Sequence, residues 1–211
     1  MKKITALMLA AVIALSLTAC ASSTPREFTT AELETILSTA ITENSEAPAD
    51  ITTVDTLNEA KNWLEENKGM TGDEAEKFLV KYGALPYDEV EPTLTDRGFP
   101  AEEAEAFQLA DNNARLAQMI FDTLGLSAED IQAGALSVSL INIRAYGMAV
   151  IKPAEGSEEK VQTALENFVA QQQKSFETYL QDQYAIAKNA KCEMVNGYVV
   201  MTMGENSDAI F

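Results

Sequence analysis

Apolar residues recur every three or four positions through most of the chain and every second position in parts of its last third, so the two periods mark where helices and strands should lie. The longest regular segment is predicted to be a helix from Ser157 to about Gln181. Val161, Leu165, Phe168, Val169, Phe176, Tyr179 and Leu180 fall on one side of it, and Glu158, Glu159, Lys160, Gln171, Gln173, Lys174 and Glu177 mainly on the other. Such a helix packs one face on a sheet. Gln172 interrupts the apolar stripe between Phe168 and Phe176 and is expected as a satisfied edge residue.

A hairpin turning on Asn196-Gly197 follows, after a weakly patterned stretch near Asp182 to Lys188. A two-residue turn sets Val195 opposite Tyr198, Met194 opposite Val199, Cys192 opposite Met201 and Ala190 opposite Met203. One face then carries Met194, Cys192 and the methionines and points inward. The other carries Lys191, Glu193, Tyr198, Val200 and Thr202, with Tyr198 expected at the surface.

Upstream, the signals are helical. Thr29 with Glu32 reads as a capping box ahead of Leu33, Ile36, Leu37, Ala40 and Ile41. After a loop from Asn44 to Thr53, Thr56 with Glu59 and Thr71 with Glu74 repeat the signature, and Gly69 and Gly83 supply the stops. Ala84 to Phe99, with Pro86 and Pro92, shows no period and is predicted to be a long surface connection. Pro100 opens a helix to about Leu124, in which Leu109, Leu116 and Ile120 add to the main stripe and suggest burial on more than one side. Ser127 to Ala133 is predicted to be a short helical turn. Leu136 to Leu140 and Tyr146 to Lys152 then alternate as strands, and Pro153 to Gly156 turns the chain. The expected fold class is α+β, a helical amino-terminal half followed by an antiparallel sheet of two hairpins packed on a long helix.

The first residues follow a different rule. Lys2 and Lys3 precede a short apolar run from Ile4 to Leu17, and small residues precede Cys20, which is the layout of a secretory signal too short to span a membrane comfortably. Leu17-Thr18-Ala19-Cys20 resembles the lipobox of bacterial lipoproteins, which implies acylation of Cys20 and cleavage just before it. The expected organisation is a lipoprotein signal peptide over 1–19, a lipidated tether over 20–29, a helical segment over 30–98 and an α+β domain over 99–211. The tether could reach about 30 Å. Its expected partner is the membrane, through lipid, palmitate included, on the extracytoplasmic face.

Composition changes this picture little. The 211 residues carry a net charge of −18 from 15 basic and 33 acidic residues, with no histidine. Scattered basic residues exclude nucleic acid as an expected partner. Without histidine there is no imidazole for a Ser-His-Asp, Cys-His or zinc site, and neither dinucleotide-binding nor phosphate-loop glycine pattern occurs. With Cys20 acylated, Cys192 has no disulfide partner, and as an inward-facing thiol among methionines it should have a raised pKa and little reactivity. No catalytic residue, cofactor or metal ligand is assigned. Asp88, Glu89 and Glu91 form a weak calcium candidate.

The segments Leu136-Ser-Val-Ser-Leu140, Ala145 to Pro153, Gln171 to Tyr179, Ala185 to Ala190 and Asn196 to Val199 resemble an uncharacterised family of small bacterial lipoproteins, chiefly from Gram-positive anaerobes, that carries a domain of unknown function. The resemblance covers about Ala101 to Phe211 and the lipobox. It implies a lipid-anchored module of two hairpins and a long helix, with no accepted activity. The functional expectation is a membrane-anchored binding or accessory module that holds an envelope protein or ligand through a sheet face or the Ala84 to Phe99 segment, where Tyr198 and Tyr87 look exposed. The alternative is a cell-envelope hydrolase using a carboxylate pair.

Overall fold

The computed structural model describes residues 27–44, 50–83, 85–141 and 143–211, and of Tyr87 the backbone alone. The signal segment, Cys20 and the tether up to residue 26 lie outside them. The described chain forms two compact units, one joining the residues up to Val54 with Ile120–Phe211, the other Asp55–Met119.

The first unit is built on a five-stranded antiparallel sheet in the order β1-β2-β3-β5-β4. Its strands are β1 (Thr52–Thr53), β2 (Ile131–Val138), β3 (Gly147–Pro153), β4 (Lys191–Val195) and β5 (Tyr198–Met203). The two predicted hairpins are therefore the halves of one sheet, joined where β3 pairs with β5. At the closing hairpin the register is as the turn dictates, Val195 with Tyr198, Met194 with Val199 and Cys192 with Met201. Asn196 and Gly197 both have positive φ, 52° and 84°, as the right-handed twist of a two-residue hairpin requires.

Both faces of this sheet are covered. Helix α1 (Thr30–Glu43) starts at the Thr29–Glu32 capping box and packs on β2 and β3. Its Leu33, Leu37, Ala40 and Ile41 share a core with Ala133, Ala135, Tyr146, Met148, Val150, Tyr198 and Val200. On the other side lies the long helix, α6 (Glu158–Phe176), which packs on β3, β4 and β5 through a stripe that includes Val161, Leu165, Phe168 and Phe176. The expected solvent face of the strands is thus a second core. Tyr198 is 1% exposed, not a surface aromatic, and Ser137 is buried with its hydroxyl 3.2 Å from that of Tyr146. The alternation read as polar-out is a polar residue satisfied inside.

Several boundaries differ from the expected ones, and β2 runs over Ile131–Val138 instead of Leu136 to Leu140. The long helix stops at Phe176, because weak helix formers Thr178 and Tyr179 follow, and a separate helix α7 (Gln181–Lys188) begins after Leu180. Tyr179 is left 57% exposed. Ser127 to Ala133 is not a helix throughout: a single 3-10 turn, Ala128–Asp130, leads directly into β2. At the carboxyl end, α8 (Ser207–Ile210) returns to β5, where Thr202 donates a hydrogen bond to the Ser207 carbonyl at 3.4 Å.

The second unit is helical, with α2 (Glu59–Lys68), α3 (Gly72–Tyr82), α4 (Tyr87–Asp96) and the part of α5 (Ala101–Leu124) up to Met119. The box at Thr71–Glu74 forms. Helix α2 starts later than its sequence signal, at Glu59 after a 3-10 turn over Asp55–Asn58. The predicted Ala84 to Phe99 loop contains α4, even though Pro92 removes one helical hydrogen bond. Burial offsets that loss: Val90 and Leu94, one turn apart, are 1% and 0% exposed and join Leu64, Ala75 and Phe107 in the core. Phe78 lies against Tyr82, Phe99 and Phe107 with ring centroids 4.5, 5.8 and 5.6 Å away. Of the extra apolar positions on α5, Leu109 and Leu116 are exposed, while Ile120 is buried as expected. Among the described residues no helix is long and apolar enough to cross a membrane.

Candidate functional site

The most polar concentration of buried chemistry in the first unit lies where the 3-10 turn meets the start of α6. Ser127 begins that turn, and its N–H and hydroxyl both donate to Asp130 Oδ2 at 2.8 Å. Lys160, in the first turn of α6, donates to the same oxygen at 2.7 Å, and the Ser157 hydroxyl lies 3.4 Å from Oδ1. The Asp130 carbonyl accepts from Ala154 N–H at 2.8 Å. One residue therefore ties the entry of β2 to the β3–α6 connection. The Lys160 ammonium and the Ser127 donors hold the Asp130 carboxyl down at about 2.

Beside this cluster is a shallow cleft lined by Gly125, Gly156, Glu159, Lys160, Thr163 and Asn167 among others. Lys160, Thr163 and Asn167 recur at helical spacing, so their polar ends share one side of α6. Lys160 is half exposed and keeps donors beyond the one given to Asp130. The arrangement can hold a hydrogen-bonding or anionic group. It is poorly suited to proton transfer near neutrality, because Asp130 stays ionised there and its charge is already matched.

In the second unit the buried carboxylate is Asp111, 4% exposed, whose Oδ2 lies 2.8 Å from Arg115 Nε one helical turn on. The contact is an ion pair without the alignment of a hydrogen bond. Burial pushes the Asp111 carboxyl up and Arg115 draws it back. Arg115 also donates to the Leu85 carbonyl at 3.2 Å.

The residues singled out in sequence fall elsewhere. Cys192 is half-buried on the α6 side of the sheet, with its thiol pushed up to about 12 by burial and by the nearby charges of Glu166 and Glu193. Gln172 is not a satisfied edge residue: it is 4% exposed, and its Oε1 has no partner among the described residues. Asp88, Glu89 and Glu91 sit on α4, and among the described residues no three acidic or cysteine side chains are grouped to hold a metal. Asp130 and Lys160 were not selected by the sequence reading. The signal for Asp130 is Ser127 three residues before it, the spacing of a capping box, which forms; Lys160 carries no such signal, and Ser157 makes no side-chain cap at the start of α6.

The cleft and four of the five strands, β2 to β5, lie within a stretch that a family model recognises. Residues 106–204 match the family model DUF4358, a domain of unknown function. No curated protein and no solved structure matches the chain. The DUF4358 match takes in α6, β2 to β5 and the Asp130 cluster, but not α1, which covers one face of the same sheet.

Proposed function

We propose that this chain is a lipoprotein of the extracytoplasmic membrane face, acylated at Cys20, whose DUF4358 domain binds an envelope protein or ligand and performs no chemistry on it. The observation that carries the anchor is the order Lys2-Lys3, apolar run, Leu17-Thr18-Ala19-Cys20. The way the chain enters its fold supports it. Phe28 donates its N–H to the Tyr198 hydroxyl at 3.0 Å and packs edge-on against that ring at 5.9 Å, so a short tether separates Cys20 from a fixed point. The binding reading is supported by the two buried carboxylates, Asp111 and Asp130, each of which stands beside a cation.

Metabolic labelling with an alkynyl palmitate analogue tests the anchor. The label and membrane fractionation should both be lost in Cys20→Ser, and the mature amino terminus should be the modified Cys20. An unprocessed terminus, or a cut elsewhere with no label, overturns it. Turnover of a glycan or peptide envelope polymer that disappears in Asp130→Asn or Asp111→Asn would overturn the binding reading in favour of a carboxylate hydrolase.

A further inference from the structure

Strand β4 is the last of the sheet: β5 lies on one side, and among the described residues no strand lies on the other. Next to a two-residue antiparallel turn the flanking residues exchange both backbone hydrogen bonds, and bonded and non-bonded pairs then alternate. Val195 with Tyr198, Glu193 with Val200 and Lys191 with Thr202 are the bonded pairs. The N–H and C=O groups of Cys192 and Met194 therefore point out of the sheet, and an edge of that kind is a template for another strand.

The side chains decide which strand fits. Lys191 and Glu193 stand on the α1 side of β4, Cys192 and Met194 on the α6 side, where Met194 is 37% exposed. A strand of arbitrary sequence would set an apolar or like-charged residue beside Lys191 or Glu193, which is how charged edges discourage chance pairing. A second copy of the same strand, running antiparallel, can match both. If the axis passes through Glu193, two glutamates oppose each other, and if it passes through Lys191, two lysines do. With the axis at Met194, Glu193 faces Val195. With the axis at Cys192, Lys191 faces Glu193 of the second copy on both sides of the axis, and the outward backbone groups of the two Cys192 residues meet as a bonded pair.

We propose that two copies of this chain associate edge to edge through β4 in the register centred on Cys192, forming one continuous sheet. Lys191 already holds Asp208 at 2.8 Å within its own chain, but Asp208 is 83% exposed and an ammonium has three donors, so the second carboxylate can join the first.

Sedimentation of the full chain in a mild detergent, from low micromolar to submillimolar concentration, tests this with charge swaps. The wild type should dimerise. Lys191→Glu and Glu193→Lys should each weaken the dimer by about tenfold or more, since each sets like charges across both pairs, and the double swap should return the affinity to within a few-fold of wild type. Hydrogen exchange gives a second reading on the wild type alone: the Cys192 and Met194 amides should exchange slowly when concentrated and fast on dilution. A monomer throughout the range overturns the proposal. So does a dimer indifferent to the single swaps, as one held by the amino-terminal segment would be, or a double swap no stronger than the singles, or amides that exchange equally fast at both concentrations.

Discussion

At the scale of single residues, Asp130 ties the entry of β2 to the start of α6 within the stretch that matches the DUF4358 model. Its folded carboxyl is held at about 2 against an ordinary 3.8, so it favours the folded state fully above 3.8 and loses that contribution as the pH falls towards 2. Asp130→Asn keeps the shape and removes the charge-assisted bonds from Lys160 and Ser127, which should cost about 2 kcal/mol near neutrality. Urea unfolding of both proteins as a function of pH should show the gap closing through that acid window. A gap of constant size would mean that the carboxylate's charge contributes nothing. Residue properties set by local pattern were legible in the sequence: the Cys192 thiol was expected to be raised because hairpin register placed it inward, and register needs only the turn. Tyr198 was misplaced because its face could be judged only by knowing what covers it. Asp130 reads as an ordinary cap partner of Ser127, and Lys160 as one more charge on a solvated helix face, until the fold brings the two together.

Elements were legible wherever one period ran unbroken. Helix α1, the closing hairpin and most of α6 follow from apolar spacing and turn chemistry, whereas β2 starts at Ile131 and not at the expected Leu136, and α4 is hidden because Pro86 and Pro92 carry strong local breaker signals that the burial of Val90 and Leu94 overrides. How α6 sits on the sheet depends on one small residue in β3. A Cβ at Gly147 would come within 2.9 Å of both Met201 Cε and Phe168 Cε1, and within 3.4 Å of Met203 Cε. The methionine methyls can swing aside, but Phe168 is a buried ring with little freedom to yield. Gly147→Ala should therefore destabilise by about 1–3 kcal/mol through overpacking. Phe168→Leu should cost about 1–2 kcal/mol by leaving space, and the double variant should be less destabilised than the sum by at least about 0.5 kcal/mol, because each change fits the other. Unfolding free energies of the four proteins measure the coupling. Strict additivity would show that α6 does not press on Gly147.

At the scale of the whole molecule, the sequence says that α1 is amphipathic but not what its apolar face meets. That partner is the sheet face of Tyr146, Met148, Val150, Tyr198 and Val200, more than a hundred residues downstream, and the buried contact of Phe28 with Tyr198 fixes the start of the helix against it. Residues 106–204, the span of the DUF4358 match, lack α1 altogether. Uncovering those five side chains forfeits about 1.5–3 kcal/mol each, which together is as large as the roughly 5–15 kcal/mol that holds a domain folded. Expressed alone, the 106–204 fragment should form a loosely packed state that binds a hydrophobic dye, lacks near-ultraviolet circular dichroism and aggregates. Supplying residues 27–54 as a separate peptide should restore a dichroic signal and a cooperative unfolding transition, with Leu33→Ser and Leu37→Ser in that peptide abolishing the rescue. Cooperative unfolding of the fragment without the peptide would show that α1 is an accessory to the fold. If the peptide is required, the structural unit is larger than the recognised family span, and its two halves reach the sheet from opposite ends of the sequence.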